Sequence, residues 1–237
     1  MKTYRVHLIR HGLTSGNTKG QYIGRTDLDI TADGARMLEQ MAAKGEYPYA
    51  KVVFSSPLKR CLQTLKIIYP DASPIVVEGL TEYDFGRFEG KTAAELAGDN
   101  AFASWISGDI HAAPPDGEST AQFMARCMDS FAKIVEGLMK TGITDAAVCC
   151  HGGTIMGILA SCGLPQMGFY DWMCGNGRGY TLRITPSVWI RGQKAEVIAE
   201  IPAGCDEVDE EQQRLLDQFR NAARGVQKEE PQQGQNP

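Results

Sequence analysis

The chain has 237 residues, 43% hydrophobic and 22% charged, with a formal net charge of −5. That length fits one large domain, or one domain with an appendage, and the composition is ordinary for a globular protein. The negative balance argues against a general nucleic-acid binder, and no stretch approaches the roughly 18 apolar residues that would span a bilayer.

The first element in chain order is a strand, YRVHLI (4–9), which runs into Arg10-His11-Gly12. Charges interrupt its apolar residues, so the N-terminal stretch does not read as a signal peptide. TADGARMLEQMAAKG (31–45) predicts a helix that opens on a capping Thr31 and stops at Gly45. KVVFSS (51–56) predicts a buried, β-branched strand. Ser56-Pro57 then supplies an N-cap and a proline at the first helical position for PLKRCLQTLKIIY (57–69). SPIVVEG (73–79) is a third strand. Residues 91–117 are rich in Ala, Gly and Asp and predict an irregular excursion with one or two short helices. A long helix follows over 119–140, then a buried strand AAVCC (146–150) and a helix GGTIMGILASCG (152–163). GYTLRIT (179–185) and EVIAEI (196–201) are late strands on either side of Gly192. From Cys205 the composition turns acidic and Gln-rich. A short helix is expected over 208–223 and disorder over 227–237, which has no apolar content.

Strands alternating with helices predict an α/β fold with a mostly parallel central sheet. The expected division is a main domain over 1–204 and a tail over 205–237. In such sheets ligands bind beyond the carboxyl ends of the strands. Five polar residues fall at strand-to-helix edges: Arg10 and His11 after the first strand, Arg60 after the second, Glu82 after the third, and His151 before Gly152-Gly153. Each alone has a bland reading, as a turn histidine, a solvated helix arginine or a surface acid. Their joint placement is what points to chemistry.

That chemistry is phosphoryl transfer. A dianionic phosphoryl group needs neutralisation, and arginine suits its several oxygens better than lysine. The turn at 151–153 adds the N-terminus of a helix, a natural anion site. A neutral imidazole can attack phosphorus and hold it covalently, and a protonated carboxyl can supply the leaving oxygen with a proton. No G-x-x-x-x-G-K-[ST], kinase signature or C-x5-R loop occurs in the chain. No Cys/His cluster has zinc-ligand spacing either. Seven scattered cysteines without a C-x-x-C predict reduced, mostly buried thiols and a cytoplasmic protein.

LIRHGLTSGN, YIGRTDLDITADG, SSPLKRCLQT, LTEYDFGRFEG, PPDGES and HGG resemble, in order, the motif set of the histidine phosphatase superfamily, the phosphoglycerate-mutase-like group. The resemblance covers roughly residues 4–185. It implies a three-layer α/β/α fold with a small cap inserted after the third strand, about residues 91–117. It implies that His11 becomes phosphorylated, that Arg10, Arg60 and His151 hold the phosphoryl group, and that Glu82 donates a proton to the leaving group. Asn17 is then the first-motif asparagine, placed to contact phosphate or His11, and Gly152 contributes to the phosphate site. DFGRFEG and HGG look more like the family's small-metabolite phosphatases, such as the α-ribazole phosphatases, than its glycolytic mutases.

The leading expectation is a metal-independent, cofactor-free phosphomonoesterase acting on a small phosphorylated metabolite, with no nucleic-acid or membrane partner. A 2,3-bisphosphoglycerate-dependent mutase and a non-catalytic phospholigand-binding module are the alternatives. A homodimer is left open.

Overall fold

The computed structural model describes residues 2–202. The expected boundary at 204/205, the helix over 208–223 and the disordered terminus lie outside the described residues.

In chain order the elements are β1 (Tyr4–Arg10), α1 (Ser15–Thr18), α2 (Ala32–Ala43), β2 (Val52–Ser55), α3 (Lys59–Ile68), β3 (Ile75–Val76), α4 (Ala93–Leu96), α5 (Asn100–Ile106), α6 (Thr120–Thr141), β4 (Asp145–Cys150), α7 (Gly152–Cys162), β5 (Gly163–Leu164), β6 (Gly179–Ile184), α8 (Pro186–Gly192) and β7 (Ala195–Ile201). The strands form one sheet in the order β3-β2-β4-β1-β6-β7-β5. Pairs β1/β4, β2/β4, β2/β3 and β5/β7 are parallel, and β1/β6 and β6/β7 antiparallel. The sheet is mostly parallel, as expected.

Side-chain alternation along the central strands creates the layers. Val6, Leu8, Ala146, Val148 and Cys150 share one hydrophobic cluster with Phe123, Phe131, Ile155 and Leu159 of α6 and α7. Ile9, Val53, Ala147 and Cys149 face the other way, onto Leu38, Cys61 and Leu65 of α2 and α3. Both faces of β1 and β4 are therefore covered, which explains their continuous apolar runs. The long α6 carries a capping box, Ser119 with Gln122, and ends at Gly142 in the left-handed region with φ 72°. Residues 91–117 hold two short helices, α4 and α5, around a third small cluster of Phe88, Leu96 and Phe102.

Four details depart from the sequence reading. The third strand shrinks to Ile75–Val76, half exposed at the sheet edge. Pro74 has no N–H for a ladder, and an edge strand has no second neighbour to extend it. Helix α3 starts two residues late: Leu58 is its N-cap, with ψ 139°, and Ser56 is used elsewhere. The late strands are separated by a helix, α8, with Pro186 at its first turn. A two-residue strand, β5, pairs beside β7 and was not anticipated. Among the described residues no helix is long and apolar enough to cross a membrane.

Candidate active site

Strand β1 ends between β4 and β6, so Arg10 and His11 emerge at the middle of the sheet's edge. The amide of His11 donates to the Cys150 carbonyl at 3.0 Å, prolonging the ladder by one residue. Its ring Nδ1 lies 2.7 Å from the Gly12 carbonyl oxygen. A carbonyl can only accept, so the proton sits on Nδ1 and the lone pair on Nε2. The Gly12 amide donates to Thr64 Oγ1 at 2.8 Å, which fixes that carbonyl's peptide neighbour in turn. A Cβ on Gly12 would stand 2.7 Å from Leu38 Cδ1, so the turn is packed against α2 as tightly as glycine allows.

Arg10 donates from Nη1 to the Cys174 carbonyl at 2.6 Å. Its buried Nε has no acceptor among the described residues. Arg60, 1% exposed, is fixed at all three nitrogens: Nη1 to the Thr26 carbonyl (2.8 Å), Nη2 to the Gly24 carbonyl (2.9 Å) and Nε to His151 Nδ1 (3.2 Å). His151 therefore accepts at Nδ1 and carries its proton on Nε2, which reaches Ser56 Oγ at 2.7 Å. The rings of His11 and His151 meet edge to face with centroids 5.2 Å apart.

Glu82 is 8% exposed and accepts two backbone amides, Tyr83 at Oε1 and Gly153 at Oε2, both at 2.9 Å. The second comes from the N-terminal turn of α7. The two glycines after His151 have separate reasons. A Cβ on Gly152 would lie 3.3 Å from Arg10 Nε, and one on Gly153 only 2.4 Å from Glu82 Oε1. Glycine at both positions lets a guanidinium and a carboxyl lie against the helix end.

Burial holds His11 well below the usual imidazole range, and the Arg60 and Arg10 charges push the same way. His151 is lowered well below its ordinary value for the same reasons. Glu82 is raised by burial, although its two amides and the same two arginines oppose that. One pair of cations thus acts on both His11 and Glu82. The arrangement sets a neutral imidazole with a free Nε2 lone pair, two guanidinium groups and a carboxyl biased toward its protonated form side by side, a combination able to bind an anion and exchange a proton. Among the described residues no group of three or more His, Cys, Asp or Glu side chains is placed to hold a metal ion.

The sequence profile of the histidine phosphatase superfamily (branch 1) matches residues 6–192. This chain belongs to the histidine phosphatase superfamily. The Escherichia coli adenosylcobalamin/α-ribazole phosphatase is 26% identical over 178 residues, 73% of this chain and 86% of that protein. The 2,3-bisphosphoglycerate-dependent phosphoglycerate mutase 2 of Gloeobacter violaceus is 29% identical over 163 residues, 64% of this chain and 72% of that one. Among solved structures, phosphoserine phosphatase from Entamoeba histolytica, in complex with 3-phosphoglyceric acid, superposes with a TM-score of 0.64 at 26% identity. It covers 83% of this chain and 96% of its own.

Within this histidine phosphatase, Arg10, His11, Arg60, Glu82 and His151 are brought to one sheet edge. Asn17 is not brought against the His11 ring. Its Oδ1 accepts from the Thr14 amide, the Thr14 hydroxyl and Asn176 Nδ2 at 3.0, 2.9 and 3.2 Å. It reaches His11 through Asn176, which also donates to the His11 carbonyl at 3.0 Å.

Sequence reasoning missed four supports. Asn176 lies in a loop 165 positions from His11 and carries no motif signal. Ser56 was read as a cap and instead orients His151. Glu89 accepts the Gly24 amide at 3.0 Å and the Thr26 amide at 2.9 Å, pinning the loop whose carbonyls hold Arg60. Arg126 pairs with Glu118 at 2.5 Å and donates to the carbonyls of Gly79 (3.0 Å) and Thr81 (2.9 Å), clamping the segment that carries Glu82. Glu89 and Glu118 sit inside the quoted motifs DFGRFEG and PPDGES, and that was the available signal.

Proposed function

We propose that this chain is a metal-independent phosphomonoesterase that hydrolyses small phosphorylated metabolites through a phosphohistidine at His11. The observation that carries the reading is the 2.7 Å contact from His11 Nδ1 to the Gly12 carbonyl, which leaves Nε2 unprotonated beside two arginines. Arg10 and Arg60 hold the phosphoryl oxygens, His151 fixes the Arg60 guanidinium through Nδ1 and packs against the His11 ring, and Gly152 lets the Arg10 guanidinium approach the α7 N-terminus. Nε2 attacks phosphorus; the P–N bond forms as the ester P–O bond breaks, and Glu82 gives its proton to the departing oxygen. The resulting Glu82 carboxylate takes a proton from water, whose oxygen attacks the phosphohistidine. Inorganic phosphate leaves, and His11 and Glu82 regain their starting forms. The charge on the transferring group is met by fixed guanidinium groups that need no reorganisation.

Assembly of all five polar side chains at one edge supports turnover over a non-catalytic phospholigand module. The six cysteines among the described residues are free and buried, which suits a reducing compartment, and we place the protein in the cytoplasm. A second reading, a bisphosphoglycerate-dependent mutase, is favoured by relatives of that name at comparable identity. The two share the first half-reaction and differ in what accepts the phosphoryl group. A metabolite panel assayed for inorganic phosphate in EDTA tests both. Hydrolysis that survives chelation and is inhibited by vanadate is the expected result. Activity lost to EDTA and restored by magnesium overturns the mechanism. Interconversion of phosphoglycerates faster than phosphate release supports the mutase.

A further inference from the structure

We infer that Thr64 is a positioning residue for the nucleophile: its hydroxyl holds the peptide that follows His11, and thereby keeps the ring proton on Nδ1 and the lone pair on Nε2. The inference rests on the reading of His11 as the attacking group and adds what fixes that group in its reactive form.

The stretch SSPLKRCLQT ends on Thr64, a fully buried residue of α3. It stands four positions after Arg60, so the two share a face of the helix, one turn apart. A threonine inside a helix commonly gives its proton to the carbonyl one turn back, and Thr64 Oγ1 donates to the Arg60 carbonyl at 2.6 Å. With its single proton committed there, Oγ1 acts toward its other neighbour as an acceptor, and it takes the buried Gly12 amide at 2.8 Å.

That amide belongs to the peptide joining His11 to Gly12. The other end of the same peptide, the His11 carbonyl, accepts from Asn176 Nδ2 at 3.0 Å and from the Gly177 amide at 3.2 Å. The plane is therefore held from both sides, by α3 at its N–H and by the loop before β6 at its C=O. Only the two soft rotations of Gly12 separate it from the Gly12 carbonyl, which lies 2.7 Å from His11 Nδ1. Glycine leaves those rotations freer than any other residue, so anchoring the preceding peptide is what aims the carbonyl at the ring. Without the Thr64 hydroxyl the Gly12 amide is buried and lacks its acceptor, a cost that turning the plane relieves. The carbonyl then leaves Nδ1, and the neutral ring is free to carry its proton on Nε2, the nitrogen that must attack. The Arg60 guanidinium has partners of its own, the Gly24 and Thr26 carbonyls and His151, so this loss acts on His11 and leaves the anion clamp in place.

The test is nitrogen NMR of the histidine rings in the full chain, at a pH where His11 is neutral. Ring nitrogens with and without a proton give separate signals, and the His11 pair is the one absent from His11→Gln. Wild type should show the proton on Nδ1. Thr64→Val, close to threonine in shape but without the hydroxyl, should shift the proton partly or wholly to Nε2, whereas Thr64→Ser should keep the wild-type pattern. The phosphorylation burst with p-nitrophenyl phosphate should slow about tenfold or more in Thr64→Val, the scale of one hydrogen bond to a group that gains charge, and recover in Thr64→Ser. Affinity for inorganic phosphate should stay near that of the wild type. Thr64→Ala, which is smaller, should act in the same direction and serves if Thr64→Val fails to fold. A wild-type tautomer pattern in the variants without a hydroxyl overturns the inference even where their activity falls, because a merely structural residue would slow the enzyme without moving the proton. The tautomer is read in the resting protein, so it stands apart from the nucleophile reading, which fails if no phosphoryl group forms on His11 in the wild type.

Discussion

His11 is 5% exposed and lies among positive charges, and both facts favour its neutral form. Glu82 is shifted the opposite way, toward its protonated form. His11 is thus held neutral, and Glu82 is biased toward the form that can donate a proton. Under the proposed mechanism acid should stop the reaction by protonating His11, and alkali by ionising Glu82, so the rate profile should be bell-shaped. Glu82→Gln keeps the shape but has no proton to give. It should slow hydrolysis of alkyl phosphates by about a hundredfold or more and remove the alkaline limb. The burst with p-nitrophenyl phosphate, whose leaving group needs no proton, should be largely preserved. Equal slowing of both bursts would show that Glu82 only positions phosphate, and Asp84 would become the next candidate acid. His11 was legible because it stands at a strand end followed by Gly12, whereas Glu82 lies past the end of β3 and was marked by the LTEYDFGRFEG stretch instead. Asn176 and Ser56 were not legible, because their roles exist only through contacts with residues far away in sequence.

At the scale of elements, α7 is where sequence and site meet most tightly. Its first two residues are glycines that helix propensity disfavours. Gly153→Ala should leave the thermal midpoint within a few degrees or raise it, since alanine is the better helix former, by about 1 kcal/mol per residue. The new methyl would nevertheless displace the Glu82 carboxyl, 2.4 Å away. Turnover of alkyl phosphates should fall at least about tenfold, a cost of about 1.4 kcal/mol in the transition state. Gly152→Ala, with 3.3 Å to Arg10 Nε, should be milder and act on phosphate affinity. A Gly153→Ala enzyme with full activity would contradict the placement of Glu82. The buried strands and the long α6 were readable from apolar runs and caps. The start of α3 was not: Ser56-Pro57 has every local sign of a helix start, but the Ser56 hydroxyl is claimed by His151 across 95 positions. Helix α8 was not anticipated, because its seven residues between two strands are too few to show a helical period.

Across the whole molecule three histidines are buried and neutral. His7, 3% exposed with Nδ1 3.0 Å from Thr181 Oγ1, was not singled out by the sequence, since it lies mid-strand with no motif around it. Burial, then the Arg5 charge, pushes its pKa from 6.5 down to about 4. The unfolded chain therefore takes a proton that the folded chain refuses. Stability is fully present above about pH 6.5 and is lost as pH falls toward 4, with a His7 share of about 3 kcal/mol. His11 and His151 act in the same direction. Urea unfolding between pH 7 and 5 should show this slope, and His7→Leu should reduce it by about one proton. An unchanged slope would mean that His7 titrates normally in the fold. The account as a whole stands on the phosphohistidine, and rapid-quench mass spectrometry during turnover of p-nitrophenyl phosphate tests it most directly. An acid-labile, base-stable phosphoryl group should appear on the His11 peptide at least as fast as steady turnover, and His11→Ala should lose the label and all but about a thousandth of the rate. Full turnover with no phosphoryl group on His11, or a label that persists in His11→Ala, would contradict it.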